Sequence, residues 1–165
     1  GWVGRAKVAL EAVRQMPTEL EGFEIQVYSA NKSVLSLAKK VSAETGLTIK
    51  AFGKGALSHK QVLDMFARSR IYVGLSESDG ISTSMLEAMA MGAIPVQTST
   101  ACCDEWFQDS GVAVNEISVP AIQAAIRQGL ELAEDPCHAR TNFETIKRMA
   151  SLEGTRRTSL SFYKS

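Results

Sequence analysis

Two acidic side chains flank a short run of glycine and hydroxyl residues near the middle of the chain, in the stretch SESDGISTSMLEAMAMGAIPVQTST. Asp79 and Gly80 form a turn, Ser82 and Thr83 are candidate N-caps of the helix that follows, and Glu87 lies inside that helix. The first turn of a helix presents unpaired N–H groups and a partial positive charge. We therefore expect this helix start to suit an anion such as a diphosphate.

The two acids suggest that hydroxyl groups accompany that anion. Glu87 lies one helical turn beyond Thr83, so it faces the same side as the loop and can accept two hydrogen bonds from the paired hydroxyls of a ribose. Asp79 lies in the turn, near where a sugar attached to the diphosphate would lie, and Gly80 permits close approach of the backbone. The plainer alternative is an ordinary cap, a solvated helix acid and an Asp-Gly turn.

Alternating hydrophobic patterns predict the elements that position these residues. Helices are predicted over 7–16, 34–45, 58–67, 83–91, 118–133 and 136–149, with continuation of the last one to the C-terminus left open. Strands are predicted over 23–30, 47–52, 70–76, 93–98 and 111–114. The strands are apolar on both faces, which favours an α/β fold, a doubly wound parallel sheet with helices on both faces. Ligands bind such sheets at the carboxyl ends of the strands. The loop that carries Asp79 lies on that edge.

Size and composition exclude several classes of function. With 165 residues, 45% of them hydrophobic, the chain suits one domain over 1–165, and 18 basic against 18 acidic residues argue against a nucleic-acid partner. No segment is apolar enough for a membrane span. Cys102, Cys103 and Cys137 are few and odd in number, which favours the cytoplasm. Neither His59 nor His138 has zinc-ligand spacing to them, so no metal is expected.

The acidic stretch closely resembles the signature of retaining glycosyltransferases of the GT-B architecture, especially family 4. In that signature an acid and a glutamate are separated by seven residues, and EAMAxGxPV follows. The matching acids here are Asp79 and Glu87, followed by Ala88, Met89, Ala90, Gly92, Pro95 and Val96. The family usually has glutamate at the position of Asp79. The resemblance implies a Rossmann-like sheet that forms the C-terminal half of a GT-B fold.

The resemblance also implies roles for individual residues around the acids. In the family the first acid contacts the donor sugar, which makes Asp79 a catalytic candidate beside Arg5 and Lys7, and the glutamate binds the ribose, as Glu87 would here. Backbone amides of Ile81, Ser82 and Thr83 would approach the sugar and the diphosphate, beside Gly80. Glu87 and these four residues are donor-binding candidates.

Three residues outside the stretch complete the predicted site. The segment FGKGALSHKQVLDMFARSRIYVGLS resembles the family's glycine-containing loop, helix and strand, in which the backbone near the position of Leu57 meets the nucleotide base. An arginine and a lysine near the start of this half of the enzyme hold the diphosphate and stabilise the leaving nucleotide. Arg5 and Lys7 are the candidates by location, and the alternative for them is an exposed helix start.

The implied activity is transfer of a sugar from a nucleoside diphosphate sugar to an acceptor hydroxyl, without a cofactor or metal. The partners are then the nucleotide-sugar donor and an N-terminal acceptor-binding domain, and any peripheral membrane association would come through that domain. An alternating fold is expected to begin with a strand, whereas this sequence begins close to its first helix, so we expect a piece of a longer protein. This chain alone would bind donor and transfer little.

Two rival interpretations share the fold. One is another enzyme on the same architecture: a nucleotide-sugar epimerase, which should carry further acid/base residues, or a phosphorylase, which should carry a lysine bound to pyridoxal phosphate. The other is a non-catalytic module that binds a nucleotide or a protein. Substitution of Asp79 or Glu87 in the full-length enzyme separates them, because an interaction module has no turnover to lose.

Overall fold

Helices and strands alternate along nearly the whole chain. The structure is a computed structural model that describes residues 5–77 and 80–162. The helices are α1 (Ala6–Arg14), α2 (Lys32–Thr45), α3 (His59–Phe66), α4 (Thr83–Ala90), α5 (Asp104–Phe107), α6 (Val119–Leu132), α7 (Pro136–Met149) and α8 (Leu152–Phe162), with a 3-10 turn at Ser99–Ala101. The strands are β1 (Glu24–Ala30), β2 (Thr48–Gly53), β3 (Ile71–Gly74), β4 (Ile94–Thr98) and β5 (Val112–Val114).

The helix boundaries follow from short polar side chains that satisfy the first backbone N–H groups. The Asn31 side chain accepts from the Val34 amide at the start of α2, and Ser58 forms a reciprocal capping box with Gln61 at the start of α3. Helix α2 ends at Gly46, whose φ of 76° is the left-handed conformation that glycine adopts without strain.

Among the described residues, all strand pairs are parallel and form two sheets. In one sheet β1 pairs with β2, and in the other the order is β3, β4, β5. Strand β4 is central in the larger sheet, and all five of its residues are buried. A parallel sheet needs cover on both faces, which the helices supply.

Successive side chains of the larger sheet point into two different apolar clusters. Ile71 and Val73 pack into a cluster with α1, α2 and α6, whereas Tyr72 between them packs with α4, α5 and α7. Helix α6 lies directly on β4: a Cβ added to Gly129 would lie 2.7 Å from Cγ2 of Val96. Helices therefore cover opposite faces, and the predicted α/β class with parallel strands is confirmed.

The predicted elements are all present, with ends that differ by a few residues. The sequence patterns missed the short helix α5 and the 3-10 turn before it, because segments of three or four residues are too short to show a helical period. Within the described ranges, no helix is both long and apolar enough to cross a membrane.

Candidate functional site

Two loops at the carboxyl edge of the larger sheet are tied together by hydroxyl groups. Thr98 is the last residue of β4 and Thr100 follows the strand. The Oγ1 atoms of both donate to the backbone carbonyl of Ser76, which follows β3; for Thr100 the distance is 3.2 Å. The loop leading to α4 therefore starts from a fixed point. Thr98 is buried, so its hydrogen bond to Ser76 is shielded from solvent.

The start of α4 has the features expected of an anion-binding helix end. Ser82 is buried, and its Oγ accepts from the Met85 amide at 3.3 Å. The amides of Thr83 and Ser84 belong to the first turn, where a helix offers no internal acceptor. Ile81, immediately before the cap, is 45% exposed. Thr83 is also exposed, so the start of the helix, which carries a partial positive charge, lies in an accessible part of the surface.

Glu87 is half-buried one turn further along α4 and meets the start of α3. Its Oε1 lies 2.8 Å from Nε2 of His59, the first residue of α3, and its side chain is 27% exposed. The other carboxylate oxygen, Oε2, makes no hydrogen bond to any residue in the described ranges. A carboxylate held on one side and open on the other can accept hydroxyl donors from a ligand.

The predicted basic residues lie at the same edge of the sheet. Arg5 stands at the N-terminal end of α1 and forms an ion pair with Glu77, in the loop that leads towards α4, while Lys7 is exposed on the first turn of α1. Leu57 lies in the β2–α3 connection, two residues before His59, and packs partly buried against the cluster around Phe66.

The structure thus brings most of the predicted site residues to one edge. Gly80, Ile81, Ser82 and Thr83 lead into α4, Glu87 lies on it, Leu57 precedes the helix that contacts Glu87, and Arg5 reaches the α4 loop through its ion pair with Glu77. Lys7 lies close to Arg5 in sequence, but no contact joins its side chain to the α4 loop within the described residues. Asp79 lies outside the described residues, so its role stays a prediction.

His59 is the site residue that sequence reasoning missed. Its position at the start of α3, near the predicted nucleotide loop, was visible, but nothing in the sequence pairs it with Glu87, which is 28 positions away. Only packing of α3 beside α4 brings the two together.

Metal ligation finds no support in the described ranges. No group of three His, Cys, Asp or Glu side chains there is arranged to hold a metal ion. Charged groups that the structure describes near the candidate site include Glu87, Arg5, Glu77 and Lys7.

The three cysteines differ sharply in their expected reactivity. Cys103 is buried, and burial together with the neighbouring Asp104 carboxylate raises the pKa of its thiol to about 12, whereas Cys102 and Cys137 are exposed. Because the thiolate is the reactive form, we expect two thiols to react rapidly with a disulfide reagent in the folded chain and Cys103 to react only in denaturant. The measurement is the absorbance of the released thiol. Three fast thiols in the folded chain would contradict this arrangement.

Comparison with known families and folds agrees with the signature at α4. The sequence model of the family described as glycosyl transferases group 1 matches residues 5–145. No curated protein sequence matches the chain significantly.

Several solved structures share this fold, among them two that are named as sugar-transferring enzymes. A synthase of α,α-trehalose 6-phosphate from Burkholderia multivorans superposes with a TM-score of 0.75 at 13% identity, covering 95% of this chain and 38% of that one. A glycosyltransferase from Rickettsia africae ESF-5 superposes with a TM-score of 0.72 at 17% sequence identity, and the match covers 99% of this chain and 44% of that protein. The pneumococcal O-GlcNAc transferase GtfA, solved with UDP and GlcNAc, superposes with a TM-score of 0.70 at 13% sequence identity. That match covers 98% of this chain and 33% of GtfA.

At such identities these likenesses show the fold: a Rossmann-like α/β domain of the kind found in GT-B glycosyltransferases. The chain spans less than half the length of each of these three proteins.

Proposed function

Because the chain belongs to the group 1 glycosyl transferases, we propose that it is the nucleotide-sugar-binding domain of a retaining, family 4-like enzyme. It forms the C-terminal half of a GT-B architecture, and the enzyme transfers a sugar from a nucleoside diphosphate sugar to an acceptor hydroxyl. The acceptor site belongs to an N-terminal domain across a cleft. This chain by itself binds donor and transfers little or nothing.

The observation that carries the proposal is the exposure and hydrogen bonding of the Glu87 carboxylate. Helix α4 is largely buried, with Met85, Ala88 and Met89 fully enclosed, yet Glu87 remains accessible with one carboxylate oxygen held by His59 and the other open. A carboxylate in that position accepts hydrogen bonds from the two hydroxyls of a ribose. The first turn of the same helix offers amides to the diphosphate that the ribose carries.

The remaining residues take roles that follow from charge and position. As the bond between the anomeric carbon and the diphosphate oxygen breaks, negative charge develops on the leaving nucleotide, and catalysis consists mainly of stabilising it. We assign that work to Arg5, Lys7 and the α4 amides, without a metal or cofactor. Asp79 contacts the donor sugar, Gly80 and Ile81 let the backbone approach it, and the backbone near Leu57 meets the base.

Two wider assignments follow from the same proposal. We assign the enzyme to the cytoplasm, an assignment supported by the exposed thiols of Cys102 and Cys137, which suit a reducing compartment. Membrane association, if the enzyme has any, belongs to the acceptor-binding half.

The test of the proposal is calorimetric titration of the chain with UDP, GDP and ADP and with one sugar conjugate of each. We expect one nucleotide class to bind, and its sugar conjugate to bind at the same site in competition with it. Adenosine, uridine and guanosine without phosphate serve as controls and should bind far more weakly, because they lack the group that the α4 amides recognise. Equal binding of nucleoside and nucleoside diphosphate would argue against the assignment.

Replacing His59 by alanine should weaken nucleotide binding by a few fold while the fold persists. The hydrogen bond to Glu87 is partly exposed, and such pairs contribute about 1 kcal/mol or less. Loss of it leaves the carboxylate free to rotate away from the ribose. Lys60→Ala is the matched control, since Lys60 is the next residue on α3 and pairs with Asp64 instead. Unchanged or tighter binding by H59A would show that His59 does not position Glu87.

A further inference from the structure

The central strand β4 carries a buried amide side chain close to its carboxyl end. Gln97 is fully buried, and the residues before it in the strand, Ile94, Pro95 and Val96, are apolar. A buried amide costs free energy unless its donor and acceptor groups are hydrogen-bonded. Gln97 precedes Thr98, whose hydroxyl ties β4 to the loop leading to α4. The amide therefore lies next to a contact that positions the candidate site.

The nitrogen of the Gln97 amide begins a chain of hydrogen bonds that ends at that loop. Nε2 of Gln97 donates to Oγ1 of Thr98 at 3.3 Å, and the Thr98 hydroxyl donates to the Ser76 carbonyl. A hydroxyl has a single hydrogen to donate. Because Thr98 accepts from Gln97 while it donates to Ser76, the two hydrogen bonds polarise and strengthen each other. Gln97 thus fixes the hydroxyl that fixes the loop.

The oxygen of the same amide adds nothing to the stability of the fold. Oε1 of Gln97 is buried and accepts no hydrogen bond from any residue in the described ranges. Exchanging the amide oxygen and nitrogen would place an acceptor against the Thr98 hydroxyl, whose hydrogen already goes to Ser76. A buried acceptor without a donor destabilises the folded state. Fold stability alone therefore does not account for an amide at this position.

Strand β3 leaves room for the amide by carrying no side chain opposite it. Gly74 is in register with Gln97, and a Cβ added to Gly74 would overlap Oε1 of Gln97. Gly74 also lines the same cavity as Ser76, Ser82 and Thr83, at the carboxyl edge of the sheet. The amide thus lies against the end of β3, where the chain leaves the sheet towards α4.

We propose that Gln97 is a positioning residue for donor binding. Through Thr98 it holds the peptide unit that joins Ser76 to Glu77, and with it the start of the loop that carries Gly80 and leads to the first amides of α4. The link to the donor rests on the proposed function, whereas the hold on the loop does not. Since the amide leaves a buried oxygen unpaired, its removal should weaken donor binding without weakening the fold.

The test replaces Gln97 by methionine, which has a similar size and no amide. The Glu77 amide reports on the loop, because its N–H and the Ser76 carbonyl belong to one peptide unit. Without nucleotide, we expect the order parameter of the Glu77 amide, measured by nuclear magnetic resonance relaxation, to fall from about 0.85 towards about 0.6 in Q97M. Binding of the nucleoside diphosphate should weaken by about three- to tenfold. The midpoint of urea denaturation should stay unchanged or rise.

Two further variants separate this chain of contacts from a general effect of the substitution. Thr98→Val removes the hydroxyl and should loosen Glu77 at least as much as Q97M does. The double variant Q97M/T98V should match T98V alone, because Gln97 acts through Thr98. Gln123→Met is the matched control: the Gln123 amide on α6 donates to the Ala12 carbonyl, also at 3.3 Å, and its loss should leave Glu77 and nucleotide affinity unchanged.

Several results would overturn the proposal. One is a Glu77 order parameter that is unchanged in Q97M, or that is below about 0.6 already in the unaltered chain. Another is a lower urea midpoint or failure to fold in Q97M, which would make Gln97 a structural residue. A fold-loss of affinity in the double variant equal to the product of the single losses would show that Gln97 acts by another route. A loosened Glu77 in Q97M, when the unaltered chain binds none of UDP, GDP and ADP, would support the hold on the loop and overturn the proposed function instead.

Discussion

Glutamine in place of Glu87 is expected to weaken binding of the nucleoside diphosphate by about 10- to 100-fold, because hydrogen bonds to a charged group contribute about 1.5–3 kcal/mol. Glutamine keeps the size of the side chain and one acceptor oxygen but loses the negative charge. Since Glu87 is only half-buried and its one described partner is His59, the fold should persist. The measurement is calorimetric titration with the nucleotide that binds the unaltered chain.

Glu131→Gln is the matched control for that substitution. Glu131 is an exposed acid on α6, the helix that covers the opposite face of the sheet, so the same chemical change there should leave binding within about twofold. Similar losses in E87Q and E131Q would mean that general charge, rather than a ribose contact, is responsible. Unchanged binding by E87Q would remove Glu87 from the site.

Alanine at Met85 is expected to lower the free energy of unfolding by about 2–4 kcal/mol, because it removes a fully buried side chain and leaves a cavity. Met85 anchors the first turn of α4 against a cluster that includes Met89, Trp106 and Phe107. The helix start that offers amides to the donor therefore depends on this packing. Urea denaturation followed by circular dichroism measures the loss as a lower midpoint with an unchanged slope.

Met91 provides the control within the same segment. It follows the last turn of α4 and is 37% exposed, so M91A should cost much less than M85A. A difference of less than about 0.5 kcal/mol between the two variants would show that α4 is not held by the buried side of its first turn.

The sequence predicted the fold class and its elements well for definite physical reasons. Periods of two and 3.6 in hydrophobicity separate strands from helices, and Ser58 and Ser82 signal helix starts through side-chain capping that the structure contains. Division of the strands into two sheets was not predictable, because strand order depends on which edges meet in three dimensions. Hydrophobic periodicity carries no information on strand order.

Some features of the candidate site could be predicted from the sequence, and others could not. Gly80, Ser82 and Glu87 were predicted together because they are close in sequence and because helix geometry turns Glu87 towards the loop that precedes α4. Contacts between distant segments were not predicted. These contacts join His59 to Glu87, Arg5 to Glu77, and the hydroxyls of Thr98 and Thr100 to the Ser76 carbonyl. Such contacts arise from packing of whole elements, and local patterns do not encode them.

The measurement that tests the central claim most directly is a residue-resolved nuclear magnetic resonance titration of the chain with UDP, GDP and ADP. The account predicts that one nucleotide shifts the amide signals of residues 80–84 and of residues 56–59, and that signals from α7 stay unchanged. Shifts that cluster elsewhere on the chain, or none with any of the three nucleotides, would contradict a nucleotide-sugar site at the start of α4.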